Sequence, residues 1–202
     1  MPKLLTQLLN LIFPPRPTEK LIQESTTEDI MKLYSPGTFQ SCIYLSSYKT
    51  PLIQACVIEN KFHNNKRSTE LLAQILLQWT KHQILPTLYI AIPLGKNRLR
   101  ERGYNQVENI LDALDNNICI DSSILCRIKE TEPQSKLDKD SRTKNIQCAF
   151  AYKNEKVDLS QYDQIVIIDD VLTTGATLEE ARGTLAPHVP SGGKLRCLAI
   201  AH

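Results

Sequence analysis

Paired cysteines of the C-x-x-C kind are missing from this 202-residue chain. Its six cysteines, Cys42, Cys56, Cys119, Cys126, Cys148 and Cys197, are scattered. That spacing argues against a paired-cysteine metal site and suits a reducing compartment, with the thiols expected as small buried hydrophobes. Charge of one sign is also lacking: 24 Lys and Arg against 22 Asp and Glu leave a net charge of +2. Composition therefore gives no case for nucleic-acid binding, which would have to come from local patches. Aromatic residues are only 6% of the chain, so stacking platforms for single strands are few, and Tyr104 is the obvious one beside a basic run. No Gly-x-x-x-x-Gly-Lys-Ser/Thr occurs, which excludes a P-loop. Long hydrophobic runs are absent too. Residues 1–13 are apolar with one early lysine, but too short to span a bilayer. Pro14-Pro15-Arg16-Pro17 follows where a small-residue cleavage site would stand. The expectation is an amphipathic N-terminal helix that packs on the domain or on a partner, in a cytoplasmic protein with no membrane span.

A hydrophobic content of 42% is enough for a real core in one α/β domain. Residues 14–38 show no clear period and read as an irregular connection with a short helix near Glu28 to Tyr34. Residues 1–38 are therefore set apart from a domain spanning 39–202. Phe39 to Tyr48 alternates enough for one or two strands around a turn, and Leu52 to Glu59 suits a short helix. Ser68 to His82 is the clearest helix, with Leu71, Leu72, Ile75, Leu76 and Trp79 on one face, so Trp79 is expected in the core. Leu88 to Leu94 reads as a buried parallel strand, Tyr104 to Leu114 as a helix, Ile124 to Ile128 as a strand and Ala149 to Tyr152 as a short strand. Leu178 to Leu185 reads as a helix and Leu195 to Ala201 as the closing strand. Such alternation predicts a mainly parallel, doubly wound sheet flanked by helices.

Residues 165–177, Ile-Val-Ile-Ile-Asp-Asp-Val-Leu-Thr-Thr-Gly-Ala-Thr, carry the most chemistry. Ile165 to Ile168 form a buried strand, with Asp169 and Asp170 at its carboxyl end, where open α/β sheets bind ligands. A loop of small residues, Thr173, Thr174, Gly175, Ala176 and Thr177, then opens a helix. Backbone N–H groups and a helix N-terminus suit a phosphate monoester, and the two acids suit sugar hydroxyls. This run resembles the signature of the type I phosphoribosyltransferases, which bind phosphoribosyl pyrophosphate (PRPP).

A second run, Gly95-Lys96-Asn97-Arg98-Leu99-Arg100-Glu101-Arg102-Gly103-Tyr104-Asn105-Gln106, concentrates cations at another strand end, as a pyrophosphate needs. The polar stretch 129–147 contains Gln134-Ser135-Lys136-Leu137 and Arg142-Thr143-Lys144-Asn145 and has the composition of a lid or a mobile surface loop. Together the three stretches resemble the ComF/GntX family of competence-associated phosphoribosyltransferase-like proteins over about residues 40–202. Two departures stand out. The zinc module of paired cysteines with which that family usually begins has no counterpart before Cys42, and Gly95-Lys96 replaces a more usual His-Pro.

The resemblance implies a type I phosphoribosyltransferase fold and displacement of pyrophosphate from C1 of PRPP by a base nitrogen. It assigns the 5-phosphate to Thr173 to Thr177, the ribose hydroxyls to Asp169 and Asp170 as catalytic groups, and the pyrophosphate to Lys96, Arg98 and Arg102. Gln134, Ser135 and Arg142 fall in the lid. Mg²⁺ would arrive with PRPP rather than on direct protein ligands, and no zinc is expected. Two roles stay open. One is transfer to an unknown nitrogenous acceptor, in DNA uptake or nucleotide salvage. The other is PRPP sensing or single-stranded-DNA handling without turnover. Single-stranded DNA, a competence helicase and a second copy of the chain are the further partners left open.

Overall fold

The computed structural model describes residues 14–114, 118–129, 148–153 and 157–202. At its centre lies β7, Gln164–Val171, whose Ile165 to Ile168 are at most 1% exposed. A β-branched run of this kind suits a parallel strand covered on both faces. β7 pairs in parallel with β3 (Thr87–Ala91) on one side and β8 (Lys194–Ala201) on the other. Outward from β8 come β2 (Cys42–Ser46), parallel, and β1 (Gly37–Phe39), antiparallel. Outward from β3 comes the two-residue β4 (Cys119–Ile120). The order is β1-β2-β8-β7-β3-β4, the mainly parallel α/β sheet expected.

Strand alternation divides the interior into two cores. Val166 and Ile168 face α3 (Pro51–His63), α4 (Lys66–Thr80) and α6 (Gln106–Asp112), packing with Leu71, Leu72, Ile75, Leu76 and Ile110. Trp79 belongs to this core as expected, 7% exposed and edge-on to Tyr89 at 6.4 Å. Ile165 and Ile167 face α7 (Ala176–Leu185), with Leu178, Ala181 and Leu185. A separate antiparallel pair, β5 (Leu125–Arg127) and β6 (Phe150–Tyr152), lies on that second side. The strands expected near 124–128 and 149–152 are therefore present, but outside the main sheet.

Several local readings are revised. The helix expected at Leu52 to Glu59 runs from Pro51 to His63, ending where Asn64 takes a left-handed conformation. The short helix expected near Glu28 to Tyr34 is present as α2 (Thr27–Met31), and a second helix, α1 (Pro17–Glu24), precedes it in the stretch read as irregular. Pro17 starts α1 at a position where a missing N–H costs nothing, and Thr26 with Asp29 forms a capping box on α2. Ile22 and Ile30 from these helices are fully buried in the first core. Among the thiols, Cys42, Cys56 and Cys197 are buried, while Cys119 and Cys148 are exposed, against expectation. The N-terminal helix expected within residues 1–13 lies outside the described residues.

Candidate functional site

β7 delivers the acid pair to its carboxyl end, where the two carboxyls lie close enough to influence each other. Asp170 faces the first core and is buried. Its Oδ2 accepts a hydrogen bond from Gln106 Nε2 at 3.0 Å and lies 3.3 Å from Lys61 Nζ. Burial alone would raise the Asp170 pKa, but the Lys61 charge and the Gln106 amide outweigh it and hold the carboxyl below its usual range. Asp169, partly buried, lines a small open pocket with Leu172, Thr173, Gly175, Ala176 and Thr177. Its Oδ1 accepts only a local hydrogen bond from Asp170 N, at 2.8 Å, among the described residues. Burial, then the neighbouring Asp170 charge, pushes Asp169 up to about 7. The two adjacent acids are thus shifted in opposite directions.

The loop after β7 is tied down at both ends. Leu172 N donates to Ala201 O at 2.8 Å, and His202 Nδ1 lies 2.9 Å from Leu172 O. Gly175, at φ +76 and ψ −8, is the N-cap of α7, and its carbonyl accepts from Glu179 N at 2.9 Å. That left-handed conformation is the reason for glycine there. The β1–β2 hairpin closes over the same point. Its turn residues Gln40 and Ser41 both have positive φ (46 and 60), as a two-residue hairpin requires. A Cβ at Gly175 would lie 3.5 Å from Gln40 Oε1.

The basic run forms α5 (Lys96–Arg102), capped by left-handed Gly103. Arg102 is joined to the acid pair indirectly: it donates to Gln106 Oε1, and the Gln106 amide donates to Asp170. Its guanidinium also lies over the exposed Phe62 ring, 5.7 Å from the centroid. Burial pulls the Arg102 pKa down, and the Asp170 charge acts against that. Arg98 shares the helix with Arg102 at i, i+4 spacing. Lys96 is exposed and makes no hydrogen bond or ion pair to a described residue. Gln134, Ser135 and Arg142, expected in a lid, lie outside the described residues.

Reading the sequence alone missed Lys61 as a site residue, because the helix expected there stopped at Glu59. It also left Gln106 and Asn105 as parts of a motif without a task. Asn105 Nδ2 donates to Ile92 O at 2.9 Å and its Oδ1 accepts from Val107 N, which binds the end of β3 to the start of α6. Asn60 Nδ2 donates to Gln106 O at 3.1 Å, fixing the backbone that presents the Gln106 side chain. Tyr104, the expected stacking aromatic, uses its hydroxyl as a clamp. It donates to Asn60 O at 2.9 Å and accepts from Asn64 N at 3.0 Å.

No protein-family model matches the chain. Individual relatives do. Competence protein F of Haemophilus influenzae is 30% identical over 150 residues, covering 71% of this chain and 65% of that protein. The DNA utilization protein YhgH of Salmonella typhi is 28% identical over 174 residues, 82% of this chain and 74% of that one. Competence protein ComFC of Bacillus subtilis is 38% identical over 101 residues, half of this chain and 37% of that one. The chain thus spans just under two thirds of the Haemophilus protein. Among solved structures, a hypoxanthine phosphoribosyltransferase from Staphylococcus aureus is similar over 71% of this chain and 69% of its own, at 13% identity and a TM-score of 0.39. That score adds nothing to the architecture read from the strands themselves. No helix among the described residues is long and apolar enough to cross a membrane. By sequence, then, this chain is similar to proteins named for competence and for DNA utilization.

Proposed function

We propose that this chain is a PRPP-binding, phosphoribosyltransferase-like protein of ComF type that serves DNA uptake or utilization. In this reading it transfers the phosphoribosyl group of magnesium-bound PRPP to a nitrogenous acceptor. The observation that carries the proposal is the placement of Asp169 in the pocket of the Thr173–Thr177 loop, beside Asp170 held by Lys61 and Gln106. The loop would take the 5-phosphate on backbone N–H groups at the start of α7. Asp169 would accept hydrogen bonds from the ribose hydroxyls. Asp170 would supply fixed negative charge as positive charge develops on the ring. Arg102 and Arg98 on α5 would face the departing pyrophosphate. The C1–O bond to pyrophosphate breaks as the C1–N bond to the acceptor forms, and the acceptor nitrogen gives up its proton. Chemistry of this kind needs positioned charge rather than a protein nucleophile.

Calorimetry of the full chain with PRPP and Mg²⁺ is the direct test. Binding by the unmutated protein, weakened by about tenfold or more in Asp169→Ala and in Lys61→Met, is the expected result, each lost charged contact being worth roughly 1.5–3 kcal/mol. An unmutated protein that binds no PRPP overturns the reading. Pyrophosphate release across a panel of bases then separates transfer from binding alone: release with one base supports the enzyme, and binding without release supports a sensor.

A further inference from the structure

We propose that Cys42, Cys197 and Glu179 form a binding site for a soft divalent cation, zinc by its donor chemistry, directly behind the phosphate loop. Cys42 on β2 and Cys197 on β8 are register partners in adjacent parallel strands, so both sulfurs project from the same face of the sheet. Glu179 reaches them from the first turn of α7. The three donor atoms all lie within 4.8 Å of one another. The two sulfurs are buried, while the Glu179 side chain is 31% exposed and gives the cluster an edge toward solvent.

Glu179 is held so that it can serve as the third donor. Its Oε1 accepts a weak hydrogen bond from Cys42 Sγ at 3.7 Å, while Oε2 accepts one from Arg182 Nε at 2.9 Å; Cys197 Sγ donates to Leu178 O at 3.4 Å, and a bound cation would replace both thiol protons. Arg182 therefore holds one oxygen and leaves the other turned to the thiols, which is how an outer partner orients a metal-ligating carboxylate. Two thiolates and one carboxylate carry three negative charges, and a divalent cation together with Arg182 balances them. Binding would release the two thiol protons. Sulfur donors select zinc over calcium or magnesium, which prefer oxygen. In a tetrahedral zinc site donors stand roughly 3.3–3.8 Å apart, a spacing that Cys42 Sγ and Glu179 Oε1 already have at 3.7 Å, and water can complete the set at the exposed edge. The location gives the site a consequence. A Cβ placed on Gly175 would lie 3.8 Å from Cys42 Sγ, so an occupied site would brace the glycine turn of the loop from behind. None of this depends on the loop's ligand.

Cobalt titration of the reduced full chain tests the proposal. One equivalent of Co²⁺ is expected to give thiolate-to-cobalt charge-transfer absorption that Zn²⁺ then abolishes. The band should disappear in Cys42→Ser and in Cys197→Ser, and Glu179→Gln should weaken cobalt binding about tenfold or more. Cys119→Ser and Cys148→Ser should leave it unchanged. A wild-type protein without the band, or a band that survives Cys42→Ser or vanishes with Cys119→Ser, overturns the site. Should either buried-thiol variant fail to fold, crystals of the unmutated protein soaked in zinc decide the matter. An anomalous peak bonded to both sulfurs supports the site, and a peak elsewhere or none refutes it.

Discussion

Asp169 lines the pocket of the loop while the Asp170 carboxyl meets Lys61, and the adjacency of the two acids has a consequence for stability that pH can expose. Asp169 is held up to about 7, chiefly by burial and then by Asp170. Its folded pKa lies above its unfolded one, so stability is complete below the unfolded value and falls as pH rises through about 4 to 7. Asp170, its pKa lowered on balance, works the other way: its contribution is present above the unfolded carboxylate pKa and is lost as pH falls through the folded one. Asp169→Asn removes the first effect and leaves Lys61 and Gln106 to hold Asp170 ionised. The variant should be more stable than the unmutated protein above pH 7, by about 2 kcal/mol after allowance for solvent screening, with the gap closing below about pH 4. Urea unfolding at both ends of that range measures it. Equal stability differences at the two pH values would show that Asp169 ionises without cost.

Among the elements, the joint between α1 and α3 is the sharpest case of a buried charge held chiefly by one arginine. Glu59 is fully buried on α3, and Arg16, just before α1, meets it with both arms: Nε donates to Oε1 at 2.9 Å and a terminal nitrogen to Oε2 at 2.7 Å. Thr18 adds a third hydrogen bond at 2.6 Å. The Arg16 hydrogen bond is the main reason that Glu59 sits below its ordinary pKa. Arg16→Ala leaves that carboxylate unpaired and should cost about 2 kcal/mol near neutral pH, less than a wholly buried pair would because Arg16 is itself half exposed. The loss should shrink in acid, since a depressed carboxylate contributes stability only above its folded pKa. Glu59→Gln, which removes the buried charge as well, should cost less. A larger loss in Glu59→Gln than in Arg16→Ala, by thermal unfolding, would contradict this account. The same region shows where the sequence stops being legible. The strand Ile165 to Ile168, the helix carrying Leu71 to Trp79 and the Asp-Asp and Thr-Gly loop are local patterns and could be read directly. The contact of Lys61 with Asp170 is not local, and no spacing announces it. Cys42 and Cys197 are likewise neighbours only because β2 and β8 pair in register. The Gln40-Ser41 turn has no glycine to mark its left-handed residues.

In the whole molecule, β7 is a central strand of the sheet that both cores share, so its two faces test whether the layers unfold together. Ile167 is fully buried against the α7 side, and Ile168 is fully buried against α3, α4 and α6. Ile167→Val and Ile168→Val each remove one methylene and should each cost about 0.5–1.5 kcal/mol. The sheet keeps the two side chains from touching, so the double variant should cost the sum of the two within about 0.5 kcal/mol. If the strand couples the layers into one cooperative unit, denaturant unfolding should remain a single transition in all three variants, with an unchanged slope. A second transition appearing only in Ile167→Val would mean that the α7 layer, with the loop it begins, melts apart from the rest. Asp169 and the glycine turn would then sit on the less stable half of the fold. A single transition would instead tie the loop to both cores, because Leu172 is anchored to the end of β8 and Asp170 to the helices on the opposite face.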